Sequence, residues 1–362
     1  MTERRGVWLL ACSLLFACGA EDQLRPVTTE APSPSPPGAR SVPFVLPQYE
    51  LTWLPTGFEP SAMDAAGRIG GSIKTGSSYV AAVYDASAGT LDTRVVSVFF
   101  RESWIVAMNA RGDVVGGAAG DPRYGGPTGM FPFVRYADGT AAFLFAEHGM
   151  PVTSGEALAI DAAGVAYGYA GLLRTGSSSL FGYARADEMS LFGDERDFVI
   201  GVSPSGVLVG CRYSPDNHPR PVVFRGGAAV FVAPDVPAFS GCLSAFSDAG
   251  VAVGGFHTAR EIGAYIWDGT SAKVLPFEVA HSINARGTVV GAKVIGSVVV
   301  PGNDTAFVTH AALWLGGAEA LDLSELMHMD RSTALAEAIA INDAGAIVGI
   351  GGKGGFLLTP KR

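Results

Sequence analysis

Seven times along its 362 residues the chain repeats one short string, and no other feature limits its fold as severely. The string reads AMDAAGRIGG from Ala62, AMNARGDVVG from Ala107, AIDAAGVAYG from Ala159 and GVSPSGVLVG from Gly201. It returns as AFSDAGVAVG from Ala245, SINARGTVVG from Ser282 and AINDAGAIVG from Ala340. The third residue is short and polar: Asp64, Asn109, Asp161, Ser203, Ser247, Asn284 and Asn342. Three residues on stands a glycine, at Gly67, Gly112, Gly164, Gly206, Gly250, Gly287 and Gly345, and a second glycine follows four residues later.

The string reads as a tight hairpin. An Asx or Ser at the first position of a type I turn accepts backbone N–H groups two or three residues on. Glycine at the fourth position takes the left-handed conformation that closes a G1-bulge hairpin. Pro204 stands second in its turn, where proline fits. A capped helix N-terminus is the alternative, but Val114-Val115-Gly116-Gly117 is poor helix material. No GxxxxGK[ST] and no helix-opening GxGxxG occurs, so the phosphate-loop reading fails.

An aromatic-aliphatic strand follows each string, such as YVAAVYD, FPFVRYAD and GFLLTP. After six of them comes a fourth strand, beginning with RVVSVFF in the first unit and ending with EALDLSEL in the sixth. The seventh unit has none, and the spare strand lies in front, in YELTWLP from Tyr49 to Pro55. Units of about forty to fifty residues with four short strands match propeller blades. The expected fold is therefore all-β, a seven-bladed β-propeller whose N-terminal strand completes the C-terminal blade. Composition agrees: 48% of residues are hydrophobic, 16% are charged and 48 are glycine, as expected of blades buried on both faces. The Ala, Gly or Ser that starts each string suits the innermost strand, where seven strands crowd one axis.

SINARGTVVG together with HAALWLGGAEALDL resembles the HAF-type extracellular repeat of exported bacterial proteins. The resemblance spans roughly residues 49 to 362, with the Leu-Trp pair absent from the first four units. It implies an extracellular location and a repeat scaffold, and it transfers no catalytic residue.

The N-terminus reads as an address. Arg4 and Arg5 precede an apolar run from Gly6 to Ala17, the pattern of a signal peptide over residues 1–17. Leu15-Phe16-Ala17-Cys18 resembles a bacterial lipobox, which implies a lipidated Cys18. Gly19 in place of Asp after it implies outer-membrane or surface display. An ordinary signal peptide cut nearby is the alternative. Residues 18–44, rich in Pro, Ser and Thr, read as a tether, and the propeller occupies 45–362. Cys211 and Cys242 remain as an even pair, which in an oxidising compartment favours a disulfide over a metal site.

Function is expected on the face away from the hairpins. Second-to-third loops and blade crossovers gather there, and long loops on a rigid scaffold carry binding residues disproportionately. The candidate loops are 118–129, 170–179, 211–220, 256–263 and 292–310, with the crossover 322–338 long enough for two helical turns. They hold Arg123, Tyr124, Arg174, Tyr213, His218, His257, Arg260, His310 and His328 as recognition side chains. The expected partners are the membrane, through the lipid anchor, and a protein or glycan ligand. A net charge of −9 without a Lys/Arg cluster argues against nucleic acid. No cofactor or metal is implied, since the six histidines show no HExxH or paired ligand spacing. Catalysis is not expected, although the loop carboxylates Asp121, Glu195, Asp197 and Asp216 would be the material for a glycan hydrolase or lyase. A structural role in an envelope assembly is the third possibility and would call for an apolar patch on the propeller's side.

Overall fold

The computed structural model describes Arg25–Pro26 and residues 46–96, 100–120, 129–144, 152–172, 178–184, 188–194, 196–225, 228–232, 240–258, 261–299 and 305–361. All seven strings form the same turn. In each, the glycine N–H donates to the carbonyl of the polar residue three before it, at 2.9 to 3.1 Å. The polar residue's own N–H donates to the carbonyl just past the glycine, as in Asp64 to Arg68 at 3.0 Å. The side-chain oxygen accepts the N–H of that same residue, from Asp64 in blade 1 to Asn342 in blade 7. The glycine φ angles run from +78° to +89°, a region that glycine enters without steric cost.

The second glycine answers to a different constraint. Each first strand bulges three residues before its turn, skipping Ser61, Val106, Leu158, Ile200, Ser244, His281 or Ile339 in the register. The bulge drives the carbonyl of the residue two earlier against the neighbouring strand. A Cβ on Gly71, Gly116, Gly168, Gly210, Gly254, Gly291 or Gly349 would sit 1.7 to 2.2 Å from that oxygen. Only a residue without a side chain fits there.

Seven antiparallel four-stranded blades result. Their first strands are Phe58–Met63, Phe100–Met108, Val152–Ile160, Asp197–Val202, Ser240–Phe246, Val279–Ile283 and Leu335–Ile341. Each touches the next, and the last returns to the first, closing the ring. Tyr49–Trp53 pairs antiparallel with Gly354–Pro360 and supplies the fourth strand of blade 7. Together these give the seven-bladed propeller closed by its N-terminal strand. The chain thus returns to its own start.

Two outer strands differ from the sequence reading. In blade 1 the outer strand is Thr90–Asp92, not RVVSVFF. Asp85 accepts the N–H groups of Ser87 and Ala88 and turns the chain early, while Phe100 already belongs to blade 2. In blade 6 the outer strand is only Leu321–Asp322. Asp322 then caps a single helical turn, Leu323–Leu326, where the crossover had room for two. Two residues of the tether, Arg25–Pro26, pair in parallel with Glu261–Ile262 and extend the outer edge of blade 5.

The axis holds a narrow cavity of about 270 Å³ lined by all seven first strands. Ala62, Ala107, Ala159, Gly201, Ala245, Ser282 and Ala340, the small residues that open each string, face it.

The seams between blades divide by the type of turn residue. Asparagine accepts through Oδ1 inside its own turn and still has N–H groups to give. Asn109 Nδ2 donates to the Asp161 carbonyl at 2.8 Å, Asn284 to Asn342 at 3.2 Å, and Asn342 to Asp64 at 3.3 Å. Aspartate lacks that donor. After Asp64 the link comes from Arg68 to the Arg111 carbonyl, and after Asp161 from the Ala162 N–H to the Pro204 carbonyl. Serine is too short to cross. After Ser203 the seam is joined by the Cys211–Cys242 disulfide, and after Ser247 by Ser244 Oγ donating to the Ala280 carbonyl at 2.7 Å.

Candidate functional site: the loop face

Second strands run away from the turns just described, so the face opposite collects the second-to-third connections and the crossovers. Of the nine expected recognition residues, Arg123, Tyr124, Arg174 and Arg260 lie outside the described residues, as does Cys18. The other five fall into two groups, one on blades 4 and 5 and one on blade 6.

The first group sits at the seam of blades 4 and 5. Ser214 to His218 is no long loop. Asn217 N–H donates to the Ser214 carbonyl, Ser214 N–H to the His218 carbonyl, and Asn217 takes φ +63°. The repeated turn thus recurs with asparagine in the glycine's place. It presents His218, exposed, with Nδ1 3.0 Å from Ser240 Oγ at the start of blade 5. Ser240 lies directly across from His257 in the ladder. Burial holds the His257 pKa below the ordinary value, and the charge of His218 adds to the depression. Tyr213 closes the same second strand, opposite Pro219. Two residues along, Cys211 is bonded to Cys242, both buried, so this corner is cross-linked beneath its histidines.

The second group is on blade 6. His310 Nδ1 lies 2.6 Å from Asp322 Oδ2, while Asp322 Oδ1 accepts the N–H groups of Ser324 and Glu325. One carboxylate therefore fixes both a histidine and a helix start. His328 is exposed and takes φ +53° after the helical turn. Most of 292–310 is not loop but strand: Val289–Val299 pairs with Thr305–Trp314.

The carboxylates offered for hydrolysis do not assemble among the described residues. Asp197 is buried and held by Arg212 through two bonds, at 2.6 and 2.8 Å, and by the Asp194 N–H. Asp216 is exposed and bonded to Ser214, while Asp121 and Glu195 lie outside the described residues. Among the described residues the axial lining contains no carboxylate, and His281 is its one ionisable side chain.

Two acids escaped the sequence reading, Glu156 buried and Glu337 partly buried, both on first strands and pointing across a seam. Glu156 accepts the Trp104 indole N–H at 2.6 Å, and burial pushes its pKa up to about 8. Glu337 lies 2.5 Å from His281; burial opposes its ionisation, but His281 more than offsets this and lowers its pKa. No local signal marks either residue. Both stand at the position whose carbonyl meets the second glycine of the next strand, a regularity visible only once the bulge is known.

Fold and site together define a seven-bladed propeller whose loop face carries histidines at two places. No family model matches the chain, and no curated protein matches it. Among solved structures it is similar to TolB from Acinetobacter baumannii, with a TM-score of 0.45 and 13% identity over 83% of this chain. That match covers 65% of the Acinetobacter chain. A putative TolB from Agrobacterium tumefaciens gives 0.43 and 9%, over 61% of this chain and 80% of that one. A gluconolactonase from Xanthomonas campestris gives 0.36 and 12%, over 85% and 87%. The blade count rests on the strand pairing described above. Among the described residues no helix is long and apolar enough to cross a membrane.

Proposed function

We propose that this chain is an exported lipoprotein of the HAF-repeat type, held at the outer membrane or cell surface through Cys18, whose loop face binds a protein or glycan without catalysis. The contrast between the two faces carries the reading. On the turn face all seven polar side chains close their own turns, and the three asparagines also bond the next blade. On the loop face the residues differ from blade to blade, and His218 and His328 stand exposed among them. Variation on one face of a rigid ring is what recognition requires. The test is a photo-crosslinking residue placed at Tyr213, with Arg286 on the turn face as control, in cells that export the protein. Crosslinks from 213 alone support the reading, and equal crosslinking from both positions sinks it. Cys18→Ser should release the protein from membranes; unchanged association refutes the anchor.

One observation favours a second reading, a structural component of an envelope assembly. Val230 and Phe231 on the outer strand of blade 4 are exposed, Phe231 at 58%, which forms an apolar spot on the propeller's side.

A further inference from the structure

Blade 6 carries an arm. Its second and third strands are eleven and ten residues long, whereas among the described residues no second or third strand elsewhere exceeds eight. The first strand of the blade stops opposite Ala292, so Val294–Val299 and its partner Thr305–Thr309 stand off the loop face as a two-stranded ribbon. Ile295, Val298, Val299 and Val308 are exposed there, Val299 at 76%. From Val294 to Thr309 the sequence has one ionisable residue, Asp304. Long apolar edges of this kind pair or are covered in working proteins.

The chain ahead of the blades indicates what covers this one. Arg25 and Pro26 pair with Glu261 and Ile262, the first residues of the third strand of blade 5, and so lie at its loop-face end. Seven residue steps separate Arg25 from Cys18 in the sequence, a reach of at most about 25 Å. The arm stands on the adjacent blade and the same face, and six residues of strand carry it about 20 Å outward. An acylated Cys18 therefore brings a bilayer within the arm's length.

We infer that the blade 6 arm is a second membrane contact, seating Ile295, Val298 and Val299 at the boundary between headgroups and acyl chains. The distance argument rests on the lipoprotein reading above; the apolar chemistry of the arm does not. With a net charge of −9 the contact is apolar rather than electrostatic, so it resists salt and needs no anionic lipid. A propeller held at neighbouring points on one rim turns its loop face to the membrane that carries it. The ligand it reads then belongs to that same membrane.

The test uses the full mature chain with Cys18→Ser, floated with vesicles of phosphatidylethanolamine and phosphatidylglycerol. Binding should survive high salt and fall at least about tenfold when Ile295, Val298, Val299 and Val308 are all changed to serine. These side chains are exposed, so an unchanged melting temperature confirms that the variant folds. In the acylated protein, an environment-sensitive dye on Val299→Cys should shift to the blue on vesicles, and the same dye on Arg286→Cys should not. No flotation with no dye shift overturns the inference. So does a dimer that the serine variant abolishes while vesicles are ignored, which would make a second copy the occupant. Mass analysis of the mature N-terminus reads the anchor separately: flotation without an acyl group on Cys18 keeps the arm and discards the lipoprotein.

Discussion

The turns of blades 2, 6 and 7 and those of blades 4 and 5 share one backbone and differ in what they do at the seam. Asn109, Asn284 and Asn342 each close a turn and reach the next blade. Ser203 and Ser247 close the same turn, and the seams after them are joined elsewhere, by the disulfide and by Ser244. The repeat therefore encodes two separable things. Backbone geometry is fixed at every blade, whereas the link between blades is met by whichever donor or bond is at hand.

The largest effect should come where no substitute exists. Gly210→Ala would place a Cβ 1.8 Å from the Phe198 carbonyl, and Gly291→Ala would place one 1.7 Å from that of Val279. Each should cost about 4 kcal/mol or more in denaturant unfolding. One lies in a serine blade and the other in an asparagine blade, so similar losses support a common backbone role. A mild loss in one alone would break the separation. Next comes the disulfide, which spans 31 residues. Replacing both cysteines with serine should cost about 3 kcal/mol, chiefly through the unfolded chain. The same seam should then open first in hydrogen exchange, and uniform opening would deny it a special role.

How much of this was legible follows from how local each cause is. The first glycines were readable because a turn is four residues and positive φ is glycine's own property. The second glycines were visible as a pattern, but their cause is a carbonyl on the bulged strand, for which Ser61 or Ile200 gives no signal. The onward reach of Asn284 was hidden because its acceptor lies 58 residues away. Ser214-Pro215-Asp216-Asn217 obeys the grammar of the repeat, yet it passed for an open loop because asparagine stands where the pattern demanded glycine. The arm was hidden because the apolar run after Lys293 does not say where the blade ends.

Glu156 places a third test at an asparagine seam, that of blades 2 and 3. Its folded pKa, about 8, lies above the ordinary carboxyl value of 4.5. Stability from the neutral acid is thus complete below about pH 4.5 and is lost as pH rises through 8. Glu156→Gln keeps an acceptor for Trp104 and removes the charge. The variant should match the parent at pH 4 and exceed it by about 3 kcal/mol at pH 7. A difference independent of pH would mean that Glu156 is ionised in the fold.

The smallest effect is the most direct trial of the comparison. Ser247→Asn leaves the turn intact, since asparagine closes the neighbouring turns with the same bonds. It adds an amide N–H aimed at the Asn284 carbonyl. That oxygen already accepts the Gly287 N–H, but so do the carbonyls of Asp161, Asn342 and Asp64 from their own glycines, and each still takes a second bond across its seam. A carbonyl has two lone pairs, so the acceptor has capacity. The variant should gain about 0.5 to 1 kcal/mol, and Asn284→Ser should lose a similar amount. Both are read as shifts of the urea midpoint at constant slope. If Ser247→Asn instead destabilises, the two blades are spaced differently there, and serine is required by that spacing rather than permitted by the bond from Ser244.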